Sequence, residues 1–382
     1  MKEPIYVDHA ATSPVHPSVA ESMLPYMTTV FGNPSSIHSF GRKSRQVIDQ
    51  ARESIAKLIG AKESEIIFTS GGTEADNMAI VGVATANQHK GKHIITTSIE
   101  HHAVLHTCQT LEKQGFEVTY LSVNEAGVID LNELKNAMRT DTILVTVMFG
   151  NNEVGTLQPI EEIAALLTEY DVYFHSDAVQ AYGSVPIRVD QLKVDLLSVS
   201  AHKINGPKGV GFLYVREGTK LNPLTFGGEQ ERKRRAGTEN VPGIVGLMNA
   251  MKISQSELQS KQIRFQEFQE LFIQTLDEHQ INYEINGKNA KRLPHILNLY
   301  FPGINIESFL VNLDLAGVAA SSGSACTAGS IEPSHVLCAL FGTESERTKA
   351  SIRYSFGLGN TKEQIQIVAE ETANIVKRLT RR

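Results

Sequence analysis

The chain has 382 residues, 41% hydrophobic and 20% charged, with a formal net charge of −6, a composition that buries a large core, suits two domains and argues against a mainly electrostatic nucleic-acid or membrane surface. Three cysteines, Cys108, Cys326 and Cys338, are an odd number with no C-x-x-C spacing, so neither a disulfide framework nor a structural zinc site is implied. The N-terminus "MKEPIYVDHAATSP" lacks the apolar core of a leader, and no run of about 18 apolar residues follows, so a reducing, cytoplasmic setting is expected.

From about residue 50 to 215, "EIIFTS", "HIITTS", "TILVTVMF", "DVYFHSD", "LLSVSA" and "GVGFLYV" alternate with helical stretches such as "EEIAALLTEY". That alternation predicts an α/β domain with a largely parallel sheet, in which ligands lie beyond the carboxyl ends of the strands. After the first of these strands, "GGTEADNMAI" places Gly72 and Thr73 at a helix start, where free N–H groups and a hydroxyl face an anion. An isolated Gly-Gly-Thr is more often a plain turn. It is also neither a dinucleotide-binding nor a nucleoside-triphosphate motif.

"HHAVLH" sets His102 and His106 four residues apart, a spacing open to a metal, but no H-E-x-x-H pattern or nearby carboxylate completes such a site. Cys108 and Cys338 lie in helical patterns and read as packing residues. Asp177 ends "DVYFHSD" with Gln180 three residues on; such a carboxylate either caps a helix or pairs with a cationic group. "SAHKINGPKGVGF" then gathers Ser200, His202 and Lys203 at a strand end, where a lysine loses its proton more readily than at the surface. "ERKRRAG", residues 231–237, reads by itself as a solvated loop.

Residues 254–280 form a Gln- and Glu-rich helical pattern, read as the connector to a smaller α+β domain. The expected division is 15–255 and 256–382, with residues 1–14 assigned to neither. In the second part "HILNLYF" and "ASIRYSF" read as strands, and the residues from Lys362 onward as an amphipathic helix. "AASSGSACTAGS", residues 319–330, carries Cys326 in a run of small residues that reads as a flexible loop. Either the position is accidental, or the chemistry needs a thiol that moves.

A phosphate cradle, a strand-end carboxylate and a strand-end lysine, in that order, are together what pyridoxal 5'-phosphate requires: an imine-forming amine, a partner for the ring nitrogen and an anion site. With "YVDHAATSPV", "FGNPSSIH", "TSGGTEADN", "EHHAV", "NNEVGT", "HSDAVQ", "SAHKINGPKG", "RRAGTEN", "SSGSACTAGS" and "IRYSFG" in this order, the sequence closely resembles the cysteine desulfurases with a long cysteine loop, fold-type-I pyridoxal-phosphate enzymes.

The resemblance implies that Lys203 carries the cofactor and Asp177 partners its ring nitrogen. Gly72, Thr73, Ser200 and His202 are to hold the phosphate. His101 is to stack on the ring and assist proton transfer, with Asn152 and Gln180 near the phenolic oxygen. Thr238 is to reach the phosphate of a neighbouring subunit, which implies a homodimer with shared active sites.

Arg353, with Asn152, is to bind the carboxylate of L-cysteine, a planar group that suits a guanidinium fork. Cys326 is to take the sulfur as a persulfide and pass it to an acceptor protein, an iron–sulfur scaffold or a tRNA-thiolating enzyme. The best-known relatives continue beyond the last helix into a scaffold-docking tail, whereas this sequence stops at "VKRLTRR", which leaves the acceptor open. An aminotransferase of the same fold needs the lysine and the aspartate but no thiol. A catalytically silent scaffold needs none of the three.

Overall fold

Short runs rich in Ile, Val, Thr and aromatic residues form the strands, and most are buried on both faces, as a covered sheet requires. The computed structural model describes residues 4–322 and 333–380. In chain order the strands are β1 (Ile5–Tyr6), β2 (Ile66–Thr69), β3 (His93–Thr97), β4 (Glu117–Leu121), β5 (Thr142–Thr146), β6 (Tyr173–Asp177), β7 (Leu196–Ser200), β8 (Gly211–Val215), β9 (Glu284–Ile285), β10 (Ile296–Tyr300), β11 (Val318–Ala319) and β12 (Ser351–Ser355).

Seven of them form one sheet in the order β2-β8-β7-β6-β5-β3-β4. The pairs from β7 through β4 are parallel, and β8 runs antiparallel to both β7 and β2. The carboxyl ends of β2, β3, β5, β6 and β7 therefore open on the same edge. The strand β4, absent from the sequence reading, lies at the sheet's end and is only partly buried, which accounts for its weak apolar signal.

The helix Gly72–Asn87 crosses this sheet with Ala75, Met78, Ala79, Ile80, Val83 and Ala84 all buried, a helix apolar on more than one face because it is enclosed. Helices Val241–Ser256 and Leu258–Glu278 replace the single connector expected over 254–280. Glu257, at φ −98° and ψ 1°, breaks the run, and no Gly or Pro marks the break in the sequence.

Phe265, Phe268, Phe272 and Leu276 of the second helix belong to a separate core around the antiparallel sheet β12-β10-β9. Ile5 and Val7 join that core, where β1 pairs with β11. The helix Lys362–Thr380 packs on it through Ile365, Val368, Ala369, Ala373 and Val376.

One charged pair is built into the large sheet's edge. Arg52 donates to both Glu231 oxygens at 2.7 and 2.6 Å, and the Phe68 N–H donates to the same carboxylate at 3.0 Å. Both side chains are at least 94% buried. The pair anchors a turn in which Glu231, Arg232 and Lys233 all have positive φ, at 46°, 56° and 65°, a conformation costing roughly 1–2 kcal/mol per residue. Breaking a buried pair leaves one charge unpaired, so Arg52→Ala is expected to lose about 3–5 kcal/mol. Thermal and urea unfolding check this, with Glu217→Ala, which breaks the exposed Lys62–Glu217 pair, as the near-neutral control.

Candidate active site

At the carboxyl end of β2 the chain turns through Ser70 and Gly71 into the helix Gly72–Asn87. Gly71 adopts φ 151° and ψ −172°, a region essentially reserved for glycine. A Cβ on Gly72 would lie 2.7 Å from a Val179 methyl carbon. The first helical N–H groups are thus presented at a cavity of about 320 Å³ that Thr12, Thr73, Ser200, His202 and Lys208 also line. His202 Nδ1 lies 3.1 Å from the Thr12 hydroxyl. Burial, then the charges of Lys203 and Lys208, lower its pKa to about 4 and keep it neutral.

A cavity of about 400 Å³ continues along the strand ends, and Gly72, Thr73, His101, Asn152, Asp177, Gln180, Ser200, His202, Lys203 and Arg353 all line it. Asp177 ends β6 and accepts the Val179 N–H at 2.9 Å, so it does cap the following turn. Burial raises its pKa to about 6, with that N–H and the Lys203 charge opposing. Lys203 closes the 3₁₀ turn Ala201–Lys203 after β7. Its Nζ donates to the Ala10 and Ala11 carbonyls at 2.5 and 2.8 Å, and Gln180 Nε2 donates to the same Ala10 oxygen at 2.8 Å.

His101 caps the helix His102–Glu112, with Nδ1 accepting the Ala103 N–H at 3.1 Å. That bond assigns the ring proton of the neutral form to Nε2. Burial first, then the Lys203 charge, lowers its pKa to about 4, so the neutral form prevails. Two carboxyls near this site escaped the sequence reading. Asp76 lines the cavity from the helix Gly72–Asn87, and burial, then the Asp177 charge, holds its pKa well above the usual range. Glu100, fully buried, accepts from the Thr97 hydroxyl and the Met148 N–H, each at 2.8 Å, and burial lifts its pKa to about 8. Their neighbours in the sequence, "TEADNM" and "TSIEHH", are as polar as they are apolar and give no sign of burial.

Arg353 comes from β12, far along the chain, yet donates to the Asn152 carbonyl and to Asp8 Oδ1, each at 2.8 Å. Those bonds leave donors of its buried guanidinium for a carboxylate, and among the described residues its Nε has no hydrogen-bond partner. Cys326 lies outside the described residues. The flanking residues are tied to the cavity wall: Ser321 pairs with Arg353, Ser334 donates to Glu153, and His335 Nε2 lies 2.9 Å from the Glu100 carbonyl. Thr238 is exposed and does not line this cavity.

These features fit pyridoxal 5'-phosphate. The glycine cradle and helix start suit a dianionic phosphate, the buried Asp177 suits a protonated ring nitrogen, and the Lys203 amine opens on the same space.

The family model for class-V aminotransferases matches residues 5–368. A Bacillus subtilis (strain 168) protein whose name places it with the cysteine desulfurases, IscS 1, is 62% identical over 378 residues, covering 99% of this chain and 100% of that one. The cysteine desulfurase IscS of Dictyoglomus turgidum (strain DSM 6724 / Z-1310) is 51% identical over 379 residues, covering 99% of this chain and 96% of the relative. The solved structure of SspA in complex with cysteine matches with a TM-score of 0.79 at 39% identity, over 92% of this chain and 98% of that one.

The raised pKa of Asp177 makes stability depend on pH. The folded chain holds this proton more tightly than the unfolded one, so stability falls as pH rises from about 4 to about 6. Asp177→Asn removes the cost. The cofactor-free variant is expected to melt above the cofactor-free wild type at pH 8, by about 1–3 kcal/mol, with no such gain at pH 4. Calorimetry at both pH values checks it.

Proposed function

The chain belongs to the cysteine desulfurases of the class-V aminotransferase family, and on that premise we propose how its residues divide the conversion of L-cysteine to L-alanine. The carrying observation is one cavity walled by Lys203, Asp177, the Gly72–Thr73 cradle and Arg353. Lys203 would hold pyridoxal 5'-phosphate, Asp177 would pair with its ring nitrogen, and Gly72, Thr73, Ser200 and His202 would hold its phosphate. Bound there, the cofactor supplies an electron sink that acidifies the substrate α-proton and opens the substrate sulfur to a thiolate.

Arg353, braced by Asp8 and the Asn152 carbonyl, receives the substrate carboxylate and fixes which α-bond faces Lys203. Lys203 takes the α-proton as a neutral amine. His101, neutral and with Nε2–H available, would stack on the ring of the bound cofactor and move a proton, and Asn152 and Gln180 would serve its phenolic oxygen. The Cys326 thiolate attacks the substrate sulfur. The carbon–sulfur bond breaks, alanine leaves with a proton in place of sulfur, and Cys326 keeps the sulfur as a persulfide. That sulfur then passes to an acceptor protein, an iron–sulfur scaffold or a tRNA-thiolating enzyme.

A homodimer completes the site. Leu24, Met27, Phe31, Ile37 and Phe40 are exposed on the helix Pro17–Thr28, the segment after it and the start of the helix Ser39–Ile59, more apolar surface than scattered single residues explain. Arg45, in the next helix, pairs at 2.8 Å with Glu239, the neighbour of Thr238. This patch supports a second copy seated so that Thr238 reaches the partner's phosphate cradle. The division into 15–255 and 256–382 is supported by the separate cores around the two larger sheets.

Cys326→Ser is expected to abolish alanine formation from L-cysteine, scored by amino-acid analysis, while the cofactor absorbance persists. Retained alanine formation would leave the lysine and aspartate serving another chemistry. Arg353→Lys keeps the charge but loses the fork, and a rise of about tenfold or more in KM is expected. Phe31→Asp with Phe40→Asp should yield monomers by sedimentation and weaken cofactor binding at least tenfold. A cofactor affinity unchanged in the monomer would remove Thr238 from the site.

A further inference from the structure

Lys203 borders two cavities. Besides the substrate cavity, it lines a small chamber of about 40 Å³ together with His9, Tyr182, Ser184, His295 and Lys261. His9 and Tyr182 are 6% and 3% exposed, and among the described residues neither His9 nitrogen nor the Tyr182 hydroxyl has a hydrogen-bond partner. Burial disfavours the protonated form of His9, and the Tyr6 carbonyl opposes that without reversing it. His295 Nδ1 lies 3.1 Å from the Ser184 hydroxyl, and its Nε2 faces Gln180 Oε1 at 3.5 Å.

Buried polar atoms left without protein partners, gathered on one polar chamber, are the setting in which ordered water is found. Each water needs roughly 10–15 Å³ of such volume, so the chamber has room for a few. Burial lowers the pKa of His9 to about 4 and of His295 to about 3. Both rings therefore stay neutral, each with one donor and one acceptor nitrogen, able to orient water without storing charge. Lys261, half-buried and paired with Glu257 at 3.2 Å, forms the chamber's outer wall.

We infer that this chamber holds ordered water and is the route by which the Lys203 amine exchanges its proton with solvent, separately from the substrate cavity. The relay rests on the reading of Lys203 as the base. An N–H bond of the Lys203 ammonium breaks as an O–H bond to a chamber water forms. That water passes one of its own protons outward, so the proton leaves with no oxidant or reductant involved. Reprotonation follows the same path in reverse.

The test uses the full-length enzyme carrying Cys326→Ser. Ser184→Leu fills the chamber and removes the His295 partner, while Tyr182→Phe removes only one hydroxyl. Two readouts are followed: the number of long-lived buried waters, from water magnetic relaxation dispersion on the cofactor-free protein, and the rate at which L-alanine acquires α-deuterium in D₂O with cofactor bound. Ser184→Leu should lose at least one water and slow α-deuteration about tenfold with L-alanine affinity unchanged. Tyr182→Phe should slow it about twofold.

An unchanged water count in Ser184→Leu, or wild-type exchange in both variants, would overturn the relay. If Lys203→Ala still exchanges the α-proton, the base assignment itself fails. The water count does not depend on that assignment, so the two failures are separable.

Discussion

Everything at this site depends on keeping a carboxyl group where the fold makes its charge expensive. Asp177 ends a strand buried on both faces, and burial outweighs the one backbone N–H that favours its ionised form. Burial, and after it the Asp177 charge, holds the pKa of neighbouring Asp76 well above the usual range, and burial lifts Glu100 to about 8, with the Asp177 charge adding to it. Such a floor cannot carry several negative charges at once. A cation placed over Asp177 relieves the cost, so the same burial that destabilises the bare chain favours a protonated ring nitrogen in the cavity.

Strand direction supplies the rest of the geometry. Because β2, β3, β5, β6 and β7 all open on one edge, residues from about 70 to 203 meet without long excursions of the chain. Each strand end contributes a different function: a glycine cradle after β2, an imidazole after β3, Asn152 after β5, a carboxylate at β6 and an amine after β7. His101 shows how local structure sets chemistry. Its capping bond fixes the tautomer before any ligand arrives, and burial keeps the ring neutral.

The sequence was legible wherever one short segment carried its own signal. Six buried strands of the large sheet read directly as β-branched and aromatic runs, and the cradle, Asp177 and Lys203 could be seen because each follows such a run. The edge strand β4 could not, since its side chains are half solvated and mimic a loop. The break at Glu257 was hidden by helix formers on both sides. Arg353 is a different case: without the family resemblance, an arginine in a strand reads as a surface ion-pair member. Its partners, Asp8 and Asn152, lie 345 and 201 residues away, so nothing local could announce them.

The N-terminal segment is where this long-range information concentrates. Ile5 and Val7 belong to the second core, and Val7 and His9 continue its backbone pairing through Ser355. A few residues later Ala10 and Ala11 accept from Lys203, and Ser13 bonds the His202 carbonyl. Asp8, between these contacts, holds Arg353. One stretch of fewer than ten residues therefore fixes the Lys203 amine relative to the Arg353 guanidinium. A shift in that stretch would move both groups at once, and misplacement by about 1 Å is enough to lose most of the benefit of orientation. The motif in this segment does not announce that placement, because its contacts with Lys203 are made by carbonyl oxygens, which every residue carries.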